Sequence, residues 1–336
     1  MNDNQRYFVE EFAEEYQLGR MSRRDLLRRV LLITGSAPVA AGALLALGCG
    51  ASSTAPASNG AQTQPSKTSA PPTSAAASPA SAGALGAATM PPTSQTDENV
   101  VKPDDPAIRT QNVQFPGQAG PLFGYLAQPK GGSAVPGIIL VHENRGLVEP
   151  NTDIARRYAR EGFAVLVVDL VSRAGGTARY SSDPAQIPAI LGRTDQTDLL
   201  ADLQSGLAYL KTVDGVRKDR LGVTGFCFGG NQAPELAIAS PEILAAVPFY
   251  GRVKLEDLAK SKAAFLWFYG DLDTRVTSQA PDVEGELKRL ARPYEIHVEP
   301  GAMHAFFNNT GQSYNAAAAR DAWPRVLAWF NQYLKA

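Results

Sequence analysis

Between residues 138 and 269 the chain repeats one pattern, a short uninterrupted apolar run followed by a longer stretch. Ile138-Ile139-Leu140-Val141, Phe163 to Val168, Leu244 to Phe249 and Ala264 to Tyr269 carry no charge. Runs of that length read as strands buried on both faces, which is the signature of a parallel sheet. Shorter strands are expected at Gln111 to Phe115, Leu122 to Gln128, Leu221 to Thr224 and Tyr294 to Val298. Helical spacing covers Asn151 to Gly162, Thr194 to Leu210, Asn231 to Ala239, Val283 to Leu290 and Ala316 to Leu334. Such alternation predicts an α/β fold, a mostly parallel central sheet with right-handed crossovers and helices on both faces. Pro324 lies inside the last helical pattern, where it removes a backbone donor, so a kink or two shorter helices are expected there.

The folded unit is expected to span residues 100–336, enough for one large domain. The segment before it has a different character. Met21-Ser22-Arg23-Arg24-Asp25-Leu26-Leu27-Arg28 holds a twin arginine followed by leucines, and an uncharged stretch runs from Val30 to Cys49. This pattern resembles a twin-arginine export signal over residues 1–49. Gly35, Pro38, Gly42 and Gly48 interrupt the stretch and weigh against an uncleaved membrane span. Tyr7, Phe8, Phe12 and Tyr16 suit a short amphipathic helix within a leader that would be removed. Leu45-Ala46-Leu47-Gly48-Cys49 resembles a bacterial lipobox, which makes Cys49 a candidate lipidation site. Residues 50–99 are dominated by Ala, Ser, Thr and Pro, with Lys67 the sole charge between 51 and 95. They are expected to form a disordered tether. Together these features imply export across the cytoplasmic membrane and lipid anchoring on its outer face.

Lys and Arg number 32 against 33 for Asp and Glu, which gives no basic footprint for nucleic acid. Two cysteines make no disulfide framework, and His142, His297 and His304 lack metal-site spacing. No cofactor and no metal are expected.

Chemistry concentrates at Gly225-Phe226-Cys227-Phe228-Gly229, which has the form G-x-nucleophile-x-G between a strand and a helix. A tight turn of this kind lifts the central side chain above the sheet, and its flanking positions must be small because the chain doubles back past them. The helix that follows points its amino terminus at the thiol. A nucleophilic thiol needs a base, and the base an orienting group. His304, in Gly301-Ala302-Met303-His304, supplies the base; Asp273, two residues after Asp271, is preferred as orienter, with Asp271 the competitor. His297 alternates with Ile296 and Val298 as a solvent-facing strand residue, and His142 is expected to pack at its strand end. The backbone N–H groups of Phe228 and Asn144 are candidates for an oxyanion hole. Glu143 places a carboxylate near the thiol.

Glu143, the GFCFGG elbow, the Asp273 loop and Gly301-Ala302-Met303-His304-Ala305-Phe306 together resemble the dienelactone hydrolases (carboxymethylenebutenolidases). The similarity spans most of residues 105–336, including Val247 to Gly251 and Tyr314 to Ala317. It implies an α/β-hydrolase fold and a Cys227–Asp273–His304 triad acting on small ester or lactone substrates through an acyl-thioester. It also implies that Glu143 holds the resting thiol and takes its proton when substrate arrives. Of two arginines that receive a substrate carboxylate in this family, Arg173 matches one. Asn308 stands at the other position, and a neutral amide does not replace a bidentate guanidinium. Losing that contact would cost on the order of 1.5–3 kcal/mol.

Two other functions fit the chain less well. A non-catalytic binding lipoprotein would not need the full Cys, Asp and His set, and a cysteine-based thioesterase or small-amide hydrolase would share it. Turnover of ester, thioester and amide panels separates the three.

Overall fold

The computed structural model describes residues 1–48 and 100–335. The lipidation site at Cys49 and the tether at 50–99 lie outside the described residues.

Three helices open the chain: α1 (Asp3–Gln17), α2 (Arg23–Thr34) and α3 (Ala37–Ala46). The strands are β1 (Ile108–Gly117), β2 (Gly120–Pro129), β3 (Val135–Val141), β4 (Ala164–Val168), β5 (Val216–Phe226), β6 (Ile243–Phe249), β7 (Ala264–Gly270) and β8 (Tyr294–Glu299). Between and after them run α4 (Glu149–Arg160), α5 (Ile187–Arg193), α6 (Gln196–Leu210), α7 (Phe228–Ala239), α8 (Thr274–Thr277), α9 (Ala280–Arg289) and α10 (Ala316–Phe330). One eight-stranded sheet results, in the order β1-β2-β4-β3-β5-β6-β7-β8. Pairing is antiparallel for β1–β2 and β2–β4 and parallel across the remaining five neighbours.

The apolar runs form the central strands as expected: every residue of β4 and β7 is buried, and so are the last six of β3. Helix α4 packs on β2 and β4, α6 on β1, β3 and β4, α7 on β5 and β6, and α10 on β6 and β7. This is the expected α/β-hydrolase architecture, a mostly parallel sheet between helices. Pro324 departs from expectation. Helix α10 runs through it without interruption from Ala316 to Phe330, and a π-helical turn over Asn331–Lys335 follows. A proline nine residues into a helix loses one ladder bond, and the burial of Ala318, Ala322, Val326, Trp329 and Phe330 on one face holds the remainder in place.

The folded unit was expected to begin near Val100, and the structure adds three helices ahead of it. Helices α1 to α3 pack onto the same core, with Tyr7, Phe8, Val9, Phe12, Leu26, Val30 and Ile33 all buried. Local chemistry starts α1: the Asn2 side chain accepts from the Gln5 N–H at 2.8 Å, and the Gln5 side chain accepts from the Asn2 N–H at 3.0 Å. That reciprocal cap satisfies two otherwise orphaned donors. Burying each large apolar side chain then contributes about 1.5–3 kcal/mol. Ser22 caps α2, and Gly35 ends it in the left-handed conformation at φ 66°. Arg23 and Arg24 of the twin-arginine pattern are exposed. Among the described residues no single helix is long and apolar enough to cross a membrane; α2 and α3 reach that length only as a pair, bent by 119°.

Candidate active site

Parallel strands deliver their following loops to one edge of a sheet. Cys227 follows β5, Glu143 follows β3, Asp273 follows β7, and His304 lies beyond β8. The elbow has the geometry its spacing implies. Cys227 sits at φ 57° and ψ −118°, a backbone state that L-residues adopt only when the surroundings enforce it. The surroundings do so through glycine. A Cβ on Gly225 would lie 2.0 Å from the Gly229 carbonyl oxygen, and one on Gly229 would lie 2.2 Å from that of Val141. The Cys227 N–H donates to the Phe249 carbonyl at 3.2 Å and ties the turn to β6. Because α7 begins at Phe228, its N–H belongs to the first helical turn and has no partner within the helix.

His304 Nδ1 lies 2.6 Å from Asp273 Oδ2, and Asp273 is buried. Asp271 is exposed and receives the Ala302 N–H at 3.1 Å, so of the two acids it is Asp273 that pairs with the imidazole. The other ring nitrogen, Nε2, is buried and finds no hydrogen-bond partner among the described residues. A His304 ring nitrogen, the Cys227 sulfur and a Glu11 carboxylate oxygen lie within 4.8 Å of one another. Burial, the largest single influence, pushes the His304 pKa down, but Asp273 and Cys227 together outweigh it and lift the group well above the ordinary histidine value. Burial would likewise raise Asp273, yet His304 holds its carboxyl below the ordinary range. The thiol is pushed up by burial and then by Glu11.

The thiol's nearest polar partners come from α1 rather than from β3. Tyr7 Oη is 3.3 Å from Cys227 Sγ, and the thiol reaches Glu11 Oε2 at 3.8 Å. Glu143, expected to hold the resting thiol, is engaged elsewhere. Its Oε2 accepts from Asn308 Nδ2 at 2.5 Å, and Tyr250 donates to its Oε1 at 3.4 Å. Burial raises the Glu143 pKa while the Asn308 hydrogen bond partly offsets this. Asn308 therefore serves Glu143 in this arrangement. The Asn144 side chain donates to Glu11, a bond that fixes this loop against α1.

Arg173, the candidate for a substrate carboxylate, is engaged by two acids of the chain itself. Its Nε and Nη2 donate to the two Asp202 oxygens at 2.8 and 2.9 Å, and Nη1 pairs with Asp198 at 3.1 Å. Asp202 is fully buried, so this fork neutralises a charge inside the domain. His142 packs at its strand end as expected, with Nδ1 2.7 Å from the Glu143 carbonyl and Nε2 accepting from the Leu170 N–H at 3.1 Å. His297 stacks on Phe268 at 5.4 Å and pairs with Glu295, away from this edge.

Four participants escape the motif reading: Tyr7, Glu11, Tyr250 and Arg275. The first two had a signal. Tyr7, Phe8, Glu11 and Phe12 share a helical face, and an acid inside an apolar stripe marks a buried charge with a partner.

Residues 122–334 match the family described as the dienelactone hydrolase family. A protein of Escherichia coli O157:H7 named as a carboxymethylenebutenolidase is 32% identical over 256 residues, covering 72% of this chain and 94% of its own. A relative of the same name from Methylorubrum extorquens is 30% identical, covering 73% and 88%. Among solved structures, a Klebsiella pneumoniae protein named as a dienelactone hydrolase superposes with a TM-score of 0.63 at 30% identity, over 68% of this chain and all of that one. With its elbow, its sheet and these relatives in agreement, the chain belongs to the dienelactone hydrolase family, hydrolases of ester and lactone bonds.

Proposed function

We propose that the chain hydrolyses small esters or lactones through Cys227, with His304 as base and Asp273 as its orienting carboxylate. The observation that carries this reading is the strained thiol at the elbow beside an imidazole held by a buried carboxylate. In the first half-reaction the thiol proton passes to His304 Nε2 and the sulfur attacks the acyl carbon. The carbonyl electron pair moves onto oxygen, where the N–H groups of Phe228 and Asn144 receive it. Collapse of that intermediate re-forms the carbonyl and breaks the bond to the leaving oxygen, which takes the proton from His304. An acyl-thioester on Cys227 remains. Water then gives a proton to His304 and attacks the thioester, and the acid departs as the thiol is regenerated. Asp273 keeps Nε2 facing the sulfur throughout by holding Nδ1.

Placement outside the cytoplasmic membrane is part of the same proposal. It rests on the twin-arginine pattern and on the lipobox-like end at Cys49.

Trapping the intermediate tests the chemistry. Mixing the protein with p-nitrophenyl acetate and quenching in acid should give one acetyl group that peptide mass spectrometry places on Cys227. Acetylation at another side chain, with Cys227 unmodified, would contradict the assignment.

A further inference from the structure

Helix α1 lies over the thiol that substrate must reach. Cys227 is 3% exposed, and the groups against its sulfur are Tyr7 Oη and the Glu11 carboxylate. The fit is built along the helix. Phe8 stacks on Phe228, next to the nucleophile, with ring centroids 5.2 Å apart. Glu14 pairs with Arg275 at 2.8 Å, Glu10 with Arg252 at 3.1 Å and Asp3 with Lys254 at 3.0 Å. All three acids are on α1 and all three cations on the domain beneath, so the two surfaces are complementary in charge. Arg275 also places its guanidinium over the Tyr7 ring at 5.1 Å. A helix that was merely parked on the surface would not direct a buried carboxylate at the thiol and at Asn144, a candidate oxyanion-hole residue.

We propose that α1 is an autoinhibitory helix that occupies the acyl-binding groove, with Tyr7 and Glu11 standing where the substrate would lie. The proposal rests on the reading of Cys227 as the nucleophile. While α1 is docked, access is blocked and an acid sits beside the sulfur. Displacing α1 uncovers Cys227 without any change in the sheet that carries it. Because α1 is continuous with the segment carrying the twin-arginine pattern, removal of that leader would open the site.

Alkylation of the thiol by iodoacetamide in the full-length Cys49→Ser chain tests this directly. Docked α1 should make Cys227 react far more slowly than it does in the same chain unfolded in urea. Glu10→Lys/Glu14→Lys, which sets like charges against Arg252 and Arg275, should speed labelling by about tenfold or more, about 1.4 kcal/mol of docking lost. Adding Arg252→Glu should restore part of the protection, a recovery that a misfolded chain would not give. Rapid labelling of the native chain, unchanged labelling in the double variant, or no recovery on adding Arg252→Glu would each overturn the proposal. Labelling reads access to the sulfur whether or not the protein turns over an ester, so its failure is distinct from failure of the proposed hydrolysis.

Discussion

Tyr7 Oη lies 3.3 Å from Cys227 Sγ, a contact between residues 220 positions apart. It joins the first helix of the chain to the turn after β5 and makes the site a composite of the amino-terminal helices and the α/β domain. The charged groups that meet at this junction, and those that do not reach it, give distinct expectations.

The His304–Asp273 pair sets a pH window for stability. Asp273 is held below its ordinary pKa, so its contribution is present above about pH 3.9 and lost as pH falls through the folded value. His304 is held well above its ordinary pKa, so its contribution is complete below about pH 6.5 and fades as pH climbs through the folded value. Asp273→Asn should therefore lower the melting temperature most between about pH 4 and 6.5, and less at alkaline pH. Turnover should fall by roughly 10²–10⁴ in the same variant, because the imidazole loses its orientation. Differential scanning fluorimetry across pH, with initial rates alongside, checks both.

Arg173→Ala should behave as a stability variant. It leaves Asp202 buried without its fork, a change that costs about 3–5 kcal/mol. The expected result is a melting temperature lower by several degrees, with the KM ratio between carboxylate-bearing and neutral esters unchanged. A selective rise in KM for the carboxylate-bearing esters would restore Arg173 to substrate binding.

Asn308→Ala removes the 2.5 Å hydrogen bond to Glu143 and leaves Tyr250 as its remaining side-chain donor among the described residues. Burial already raises the Glu143 pKa, so a charged Glu143 opposes folding more as pH rises. The loss should be about 1–3 kcal/mol at pH 7 and smaller near pH 4, where the carboxyl is protonated. Urea unfolding at the two pH values measures the difference.

Gly229→Ala places a Cβ 2.2 Å from the Val141 carbonyl oxygen, a backbone atom that cannot step aside. Destabilisation of about 1–3 kcal/mol or more is expected, with loss of turnover as the elbow shifts. Thermal unfolding and activity on the purified variant report the two effects.

The buried strands and the elbow were legible in the sequence because each depends on local pattern, and the Asp273–His304 pairing followed from the order of the loops along the chain. Buried runs mark parallel strands, and the Gly225 and Gly229 spacing records a steric demand of one turn. The partners of the thiol were less legible. Glu11 reaches Cys227 from 216 residues away, and no spacing rule links them. The uncharged stretch beyond Val30 resembles a leader, so the apolar face of Tyr7, Phe8 and Phe12 reads in the sequence as part of a removable helix, whereas it packs on the core. Arg173 shows a second limit. Its place after β4 suits an anion site, but Asp202, one helix away, claims the guanidinium. Pro324 shows a third, since helix burial around it overrides a local breaker.

The most direct test of the central claim compares ester and lactone hydrolysis by the Glu10→Lys/Glu14→Lys chain with and without Cys227→Ala. p-Nitrophenyl acetate, dienelactone and simple lactones serve as substrates. The account predicts turnover on at least one of them that falls by about 10³-fold or more when the sulfur is removed. Turnover that survives Cys227→Ala, or none on any substrate while Cys227 is freely alkylated, would contradict it.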